Sequence, residues 1–341
     1  MATLTEQQPH LLLGHNGPLG QVQAAQAGAE PPPGSLSLLL VVAGETGLQL
    51  LGGVVGRFIA DNTSRELALQ SGDVHVAAGL PEAQWVERIN QGDGVVADVF
   101  GVGEVVVINL DVQHEILQDP LVREAIFLAM SREGHAAVSG PPVSELVYSP
   151  VPVGLVEGGL SREEAEAAGL VLEQDIDRAN ELMAEAGYAE GFELDLVSSE
   201  MAAYRTHYEI MAEELRQIGI TLNLEIVQHA AMHELIREDR NAIVIYNTYR
   251  PTADLYLTHF YTSDSGPTNF TNYNVDELRD QARSETDPTR QAEIWKEAMI
   301  ELGSNFVATG LLYNNQVYAR LEGVDYGHEL VSMVPLYPGI H

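Results

Sequence analysis

The chain of 341 residues has no cysteine. That excludes disulfides, thiolate zinc sites, iron–sulfur ligation, a cysteine nucleophile and a lipid-modified cysteine anchor in the residues given. Lysine is almost missing too: Lys296 is the only one among 17 basic residues. No run of 18 apolar residues occurs, the longest greasy patch being Leu38 to Ala43, so no membrane-spanning helix is expected. The opening MATLTEQQPH lacks the basic and apolar regions of a secretory signal.

What is present is acid. Fifty Asp and Glu give a formal net charge of -33. A field of that sign repels nucleic acid and anionic lipid, so neither is expected as a partner. An acidic surface with one lysine is what a salt-adapted protein would carry, and unfolding at low salt is the corresponding expectation. The apolar fraction of 45% fits a globular chain with a sizeable core.

The stretch from Asp175 to Arg250 organises the rest. Ile176, Ala179, Leu182, Met183 and Ala186 share one helical face, and Gly187 stops that helix. FELDL alternates from Phe192 to Leu196 as a strand does. Met201, Tyr204, Tyr208, Met211, Leu215 and Ile218 recur at steps of three and four and predict a second helix, ended by Gly219. ITLNLEIV alternates again, a short helix follows from Ala230 to Glu238, and the unbroken apolar run Ala242 to Tyr246 predicts a strand covered on both faces. Strands separated by such helices imply βαβ crossovers and a parallel sheet, whose carboxyl ends hold ligands. Those ends are Ser198 to Glu200, Gln228-His229, and Asn247 to Arg250.

Elsewhere the pattern is coarser. Residues 1–52 are rich in Gln, Ala, Gly, Leu and Pro without any arginine or lysine. A low-complexity linker and a displaced beginning both fit them. VVGRFIA from Val54, DVHVAAGL and Val105 to Leu110 read as strands; Thr63 to Gln70 and Pro81 to Asn90 read as helices. Asp119 caps a helix opened by Pro120 and expected to reach Arg132, closed by Gly134. A proline- and glycine-rich connection, Ser139 to Gly159, precedes an acidic helix from Ser161 to Ala168. Asn274 with Glu277 suggests a capping box, Asp287-Pro288 opens a further helix, and FVATGLLY and QVYARL read as two closing strands.

Motifs that carry chemistry are sparse. HELIR at His233 to Arg237 has Arg237 where a zinc-protease helix needs its second histidine. The glycines at Gly52, Gly53 and Gly56, and at Gly101 and Gly103, read as turns, not as a dinucleotide loop. The eleven histidines read as scattered, with solvated or core roles. No metal, cofactor or catalytic group is expected. The loop Tyr246 to Asp254 (YNTYRPTAD) differs in kind: it concentrates aromatics and a few polar groups just past a buried strand, as small-solute clefts do.

These residues resemble the solute-binding proteins of the dipeptide, oligopeptide and nickel type (family 5) that serve ABC importers. Four segments carry the resemblance: Arg57 to Pro81, Ile108 to Glu133, the stretch DIDRANELMAEAGYAEGFELDL with EELRQIGITLNLEIV, and Asn272 to Ala298. The resemblance implies an α/β, periplasmic-binding-protein-like two-lobed fold of type II, closing on its ligand by hinge motion. It also implies that most of the amino-terminal lobe is missing. The expected division is an atypical segment 1–52, part of the amino lobe at 53–118, the carboxyl lobe at 119–304 and return strands at 305–341. Hinge crossings are expected near Gln113 to Asp119 and Ser304 to Leu312.

By the same resemblance the chain would be an extracytoplasmic substrate-binding component, partnered by ABC permease subunits, and no enzyme. It would capture a small peptide or other small polar solute with Tyr246, Asn247, Tyr249, Arg250 and Asp254, helped by Glu200 and Tyr204. Peptide binders of the family hold the ligand amine with an aspartate; Tyr249 stands at that position here, with Asp254 later in the loop. His75 replaces a usual acid, read as a surface change. A shortened relative that binds a protein partner is the alternative reading, and a hydrolase on this scaffold lacks any nucleophile–base motif.

Overall fold

A computed structural model describes residues 56–325, apart from 58, 60 and 155. The expectations for residues 1–52 therefore lie outside the described residues. In chain order come α1 (Asn62–Gln70), β1 (Val76–Ala78), α2 (Ala83–Asn90), β2 (Val95–Leu110), α3 (Pro120–Ala129), α4 (Arg132–Ala136) and β3 (Ser144–Leu146). Next are α5 (Arg162–Ala167), α6 (Ile176–Glu185), β4 (Phe192–Ser199), α7 (Ala202–Arg216), β5 (Ile220–Val227) and α8 (His229–Ile236). The last are β6 (Ile243–Thr248), α9 (Ala253–Phe260), a 3-10 turn (Ser263–Thr268), α10 (Asp276–Ser284), α11 (Pro288–Ser304) and β7 (Ala308–Leu321).

The mixed α/β expectation holds, and the stretch from α6 to β6 forms as its periodicity predicts. Asp175 caps α6 by accepting from the Arg178 amide, and Gly187 beyond it takes φ +88°. Tyr204, Tyr208, Met211 and Leu215 make the buried face of α7. β4 and β5 pair in parallel from Phe192↔Ile220 to Ser199↔Val227, with α7 as the crossover.

The third strand departs from the expected parallel sheet. β6 lies antiparallel to β2, from Val105↔Thr248 to Leu110↔Ile243, in a five-stranded sheet ordered β1-β7-β2-β6 with β3 also on β7. It is covered on both faces, as its composition predicts: Ile243 and Ile245 enter one core, Val244 another. The link between the sheets is a side chain. Asn241, just before β6, accepts from the Val197 amide at 2.8 Å and donates to the Val197 carbonyl at 2.9 Å. Its carboxamide thus occupies the edge of β4 where a further strand would pair. Tyr208 Oη reinforces the junction by accepting from the Ile245 amide at 3.0 Å.

Other elements are longer or shorter than expected. β2 begins at Val95 rather than Val105, and the closing pair is the single strand β7; the two run together from Val95↔Leu321 to Asn109↔Ala308. Gly101 and Gly103 are not turns but part of a bulge in β2 between Phe100 and Glu104. A Cβ at Gly103 would collide with the Asn314 carbonyl oxygen. The Tyr313 hydroxyl holds this bulge, accepting from the Gly103 amide and donating to the Gly101 carbonyl at 3.2 Å. α3 stops at Ala129 because Met130 is extended and Ser131 caps a new helix, accepting from Gly134 N at 3.0 Å. α10 starts at Asp276 with Val275 as its cap, so Asn274 does not play that part. Gly56, Arg57 and Ile59 lie in no strand; Val54 and Val55 fall outside the described residues.

Three apolar cores result. A small one joins α1, α2 and the outer ends of β2 and β7 around Leu69, Val74, Trp85 and Val317. Two larger ones flank β6 and the inner halves of the same strands. No described helix is long and apolar enough to cross a membrane.

Candidate functional site

Between the small core and the two larger ones, β2 and β7 continue without a break, and the bulge at Phe100 to Glu104 marks the transition. Polar and aromatic groups gather beside it, around the carboxyl end of β6. Tyr246 sits half-buried against Phe260 at 5.5 Å and Phe270 at 5.1 Å between ring centroids. Tyr204, from the first turn of α7, meets Tyr246 at 6.4 Å and donates weakly to the Asn247 carbonyl at 3.4 Å. Burial holds its phenol far above the ordinary range, and the nearby Glu104 carboxylate pushes the same way.

Asn247 is buried at 7% exposure. Its amide donates to the Ala203 carbonyl at 3.2 Å, while Oδ1 is buried and has no hydrogen-bond partner among the described residues. Arg250 is half-buried: Nη1 donates to Thr248 Oγ1 at 2.9 Å and to the Tyr249 carbonyl at 2.7 Å, and the guanidinium lies 5.2 Å over the Phe260 ring.

Sequence reasoning missed Glu104. It follows the bulge in β2, opposite Asn314. Desolvation raises its carboxyl pKa, and Arg250 opposes that shift. Its charge reaches Tyr204, Tyr246 and Tyr256. A single acid among fifty carries no signal until burial singles it out.

The structure thus brings Tyr204, Tyr246, Asn247 and Arg250 together, with Tyr249 beside Arg250 in the chain. Two residues of the expected set stand apart. Asp254, in the first turn of α9, pairs with Arg283 at 2.7 Å and 3.1 Å on the side toward α10. Glu200 is exposed past the end of β4, where its charge acts on His229.

The reading of the histidines as scattered is overturned on α8. His229 and His233 are one turn apart, their Nε2 atoms 3.1 Å from each other. Both pack on Tyr204, at 5.0 Å and 6.1 Å. Burial lowers the pKa of each, to about 4 for His233, so both imidazoles are neutral at pH 7.

Comparison with known proteins agrees with this architecture. Residues 45–281 match the model of the bacterial extracellular solute-binding proteins, family 5 Middle. The glutathione-binding protein GsiB of Shigella flexneri serotype 5b is 25% identical over 270 residues, 74% of this chain and 51% of that protein. GsiB of Escherichia coli K12 is 24% identical over the same shares. The chain therefore spans about half the length of the curated relatives it matches. Among solved structures, the MoaA protein of A. tumefacien R10, in complex with mannopinic acid, superposes with a TM-score of 0.73 at 31% identity, covering 84% of this chain and 60% of that one. DppA of Helicobacter pylori, in complex with the peptide STSA, gives 0.72 at 19% identity over 84% and 56%. These likenesses establish the periplasmic-binding-protein fold inferred from the sequence. With more than half of its length matched by the family model, the chain belongs to the bacterial extracellular solute-binding proteins of family 5.

Proposed function

We propose that this chain captures a small polar solute bearing a carboxylate, in the cleft beside the end of β6, and presents it outside the cytoplasm to the permease subunits of an ABC importer. The observation that carries this reading is the half-buried Arg250 guanidinium over the Phe260 ring, its charge acting on the desolvated Glu104 carboxyl, beside the rings of Tyr204 and Tyr246. An opposite-charge pair of this kind suits a zwitterion: Arg250 takes the carboxylate, Glu104 an ammonium group, and Tyr204 and Tyr246 cover the apolar part between them. The Asn247 carboxamide oxygen supplies a further acceptor. Glutathione, peptide STSA and mannopinic acid, bound by relatives, each carry a carboxylate, which agrees with an arginine at the rim. Nothing in this arrangement needs a nucleophile; the work is binding and release.

Calorimetric titration with zwitterionic peptides and with their N-acetylated forms tests the assignment. Acetylation should weaken binding to the wild type and matter little to a Glu104→Gln variant. Equal losses in both proteins would remove Glu104 from the site.

A further inference from the structure

Asn314 has no part in the solute reading above, yet the strand register sets it beside two residues that do. Just past the bulge, Glu104 of β2 stands opposite Asn314 of β7. Opposite residues of an antiparallel pair share a face, with Cβ atoms about 4.5–5.5 Å apart. Two residues on, Val106 returns to that face and stands opposite Asn247 of β6. Glu104, Asn247 and Asn314 therefore occupy one face of the sheet. Val106 and Leu312, paired with each other and fully buried, form the apolar floor beside them, continuous with the core that holds Ile243 and Ile245.

What the three residues present is oxygen. Asn247 Nδ2 is spent on the Ala203 carbonyl at 3.2 Å, and its Oδ1 is buried without a partner among the described residues. Asn314 Oδ1 is buried and unpartnered in the same way. The Glu104 carboxyl, whose pKa is raised by burial, makes no hydrogen bond among the described residues. Desolvated acceptors without a donor are costly until something supplies one. A primary ammonium supplies three N–H donors from one charged atom. Oxygens about 2.8 Å from its nitrogen, in tetrahedral directions, lie roughly 4.6 Å from one another, close to the spacing of neighbours on a sheet.

We propose that Asn314, with Glu104 and Asn247, forms a three-acceptor seat that selects solutes bearing a primary ammonium group and rejects those whose nitrogen is methylated. The proposal rests on the assignment of Glu104 to the solute's ammonium and adds a demand for N–H donors that charge alone does not impose. Aromatic rings such as Tyr204 and Tyr246 hold a quaternary ammonium by cation–π attraction without needing any donor. At this seat methylation would instead leave buried oxygens bare, which is how a site rejects an analogue lacking its hydrogen bonds.

The test is calorimetry at high salt with the tightest-binding zwitterionic peptide and its N-methyl, N,N-dimethyl and N,N,N-trimethyl forms. Each methyl keeps the positive charge and removes one donor. Wild-type affinity should fall by about tenfold or more with each donor lost. Asn314→Leu should bind the primary amine about tenfold more weakly than the wild type and the trimethyl form equally well. It should also melt as the wild type does, since the Asn314 side chain makes no described hydrogen bond. The methylation penalty thus shrinks in the variant, whereas purely steric rejection would be the same in both proteins. If the leucine variant fails to fold, the wild-type methylation series decides alone. Affinity unchanged or improved by methylation, or a folded Asn314→Leu that loses nothing, would overturn the seat by itself. Binding indifferent to N-acetylation would withdraw Glu104 from the ammonium, and failure of every peptide to bind would remove the solute reading; either result takes the seat with it.

Discussion

Two arginines divide the molecule into what is built and what is left available. Arg132, at the start of α4, is 7% exposed. Its Nε donates to the Gly310 carbonyl at 3.2 Å, Nη1 to the Leu172 carbonyl at 3.3 Å and Nη2 to Thr309 Oγ1 at 2.9 Å, and its face covers Tyr148 at 5.4 Å. Every nitrogen of that side chain is committed to the fold. Arg250 is half-buried, and only Nη1 carries described hydrogen bonds, both to its own loop. The same guanidinium is a structural bolt in one place and an open fork in the other. What separates them is the supply of neighbouring acceptors. The histidine pairs repeat the contrast. His135 and His207 are sealed at 0% and 2% exposure with Glu214 beside them, whereas His229 and His233 are half-buried against Tyr204.

The largest effect expected from breaking this contrast is at Arg132. Arg132→Met would take a donor from the Gly310 and Leu172 carbonyls and from Thr309 Oγ1, and a buried polar group left unpaired costs about 1–3 kcal/mol. Urea unfolding should show a loss of roughly 3 kcal/mol or more, while solute binding by the remaining folded protein stays unchanged. A small loss would mean that Arg132 is not the bolt its bonds suggest.

A smaller effect belongs to the sealed histidines. Burial, then His135, lowers the pKa of His207 to about 4, against 6.5 in the unfolded chain. Between those values the unfolded state binds a proton that the native state refuses, so this group's contribution falls as pH drops from about 6.5 toward 4. His207→Leu should flatten that part of the stability profile relative to wild type. An unchanged slope would show that His207 titrates normally in the folded protein.

A smaller stability effect still is expected at Asp254 on α9. Asp254→Ala breaks a partly exposed ion pair with Arg283, worth less than about 1 kcal/mol. Its solute affinity should equal that of the wild type. A lost affinity would return Asp254 to the site, where sequence reasoning had put it.

Much of the fold was readable because its signals are local. Asp175, Gly187 and the three-four recurrence of Tyr204, Tyr208, Met211 and Leu215 each act on their own segment. The partner of β6 was not readable. Its apolar run reports burial on both faces, but whether β4 or β2 pairs with it depends on Asn241, a side chain standing in for a strand. Gly101 and Gly103 signalled a break in regular pairing, and only β7 alongside shows it to be a bulge within one long strand.

At the site, the aromatic loop announced Tyr246 and Arg250 through composition, whereas Glu104 is separated from them in sequence and chemically ordinary until desolvated. The histidine pair was legible and overlooked. Comparison with a zinc-protease helix looks four residues after His233, where Arg237 stands; the partner lies four residues before it, at His229.

The central claim is that Arg250 is kept free for a solute carboxylate. The direct measurement is a thermal melt in high salt, for wild type and Arg250→Ala, with and without a panel of short peptides, glutathione and sugar-derived acids. At least one carboxylate-bearing solute should raise the wild-type midpoint with increasing concentration, as ligand linkage requires. Arg250→Ala should melt within about 2 °C of the wild type when unliganded, a shift expected of a substitution costing under roughly 0.5 kcal/mol, and should lose the response. A variant that responds as fully as the wild type, or a wild type indifferent to every carboxylate, would contradict the account.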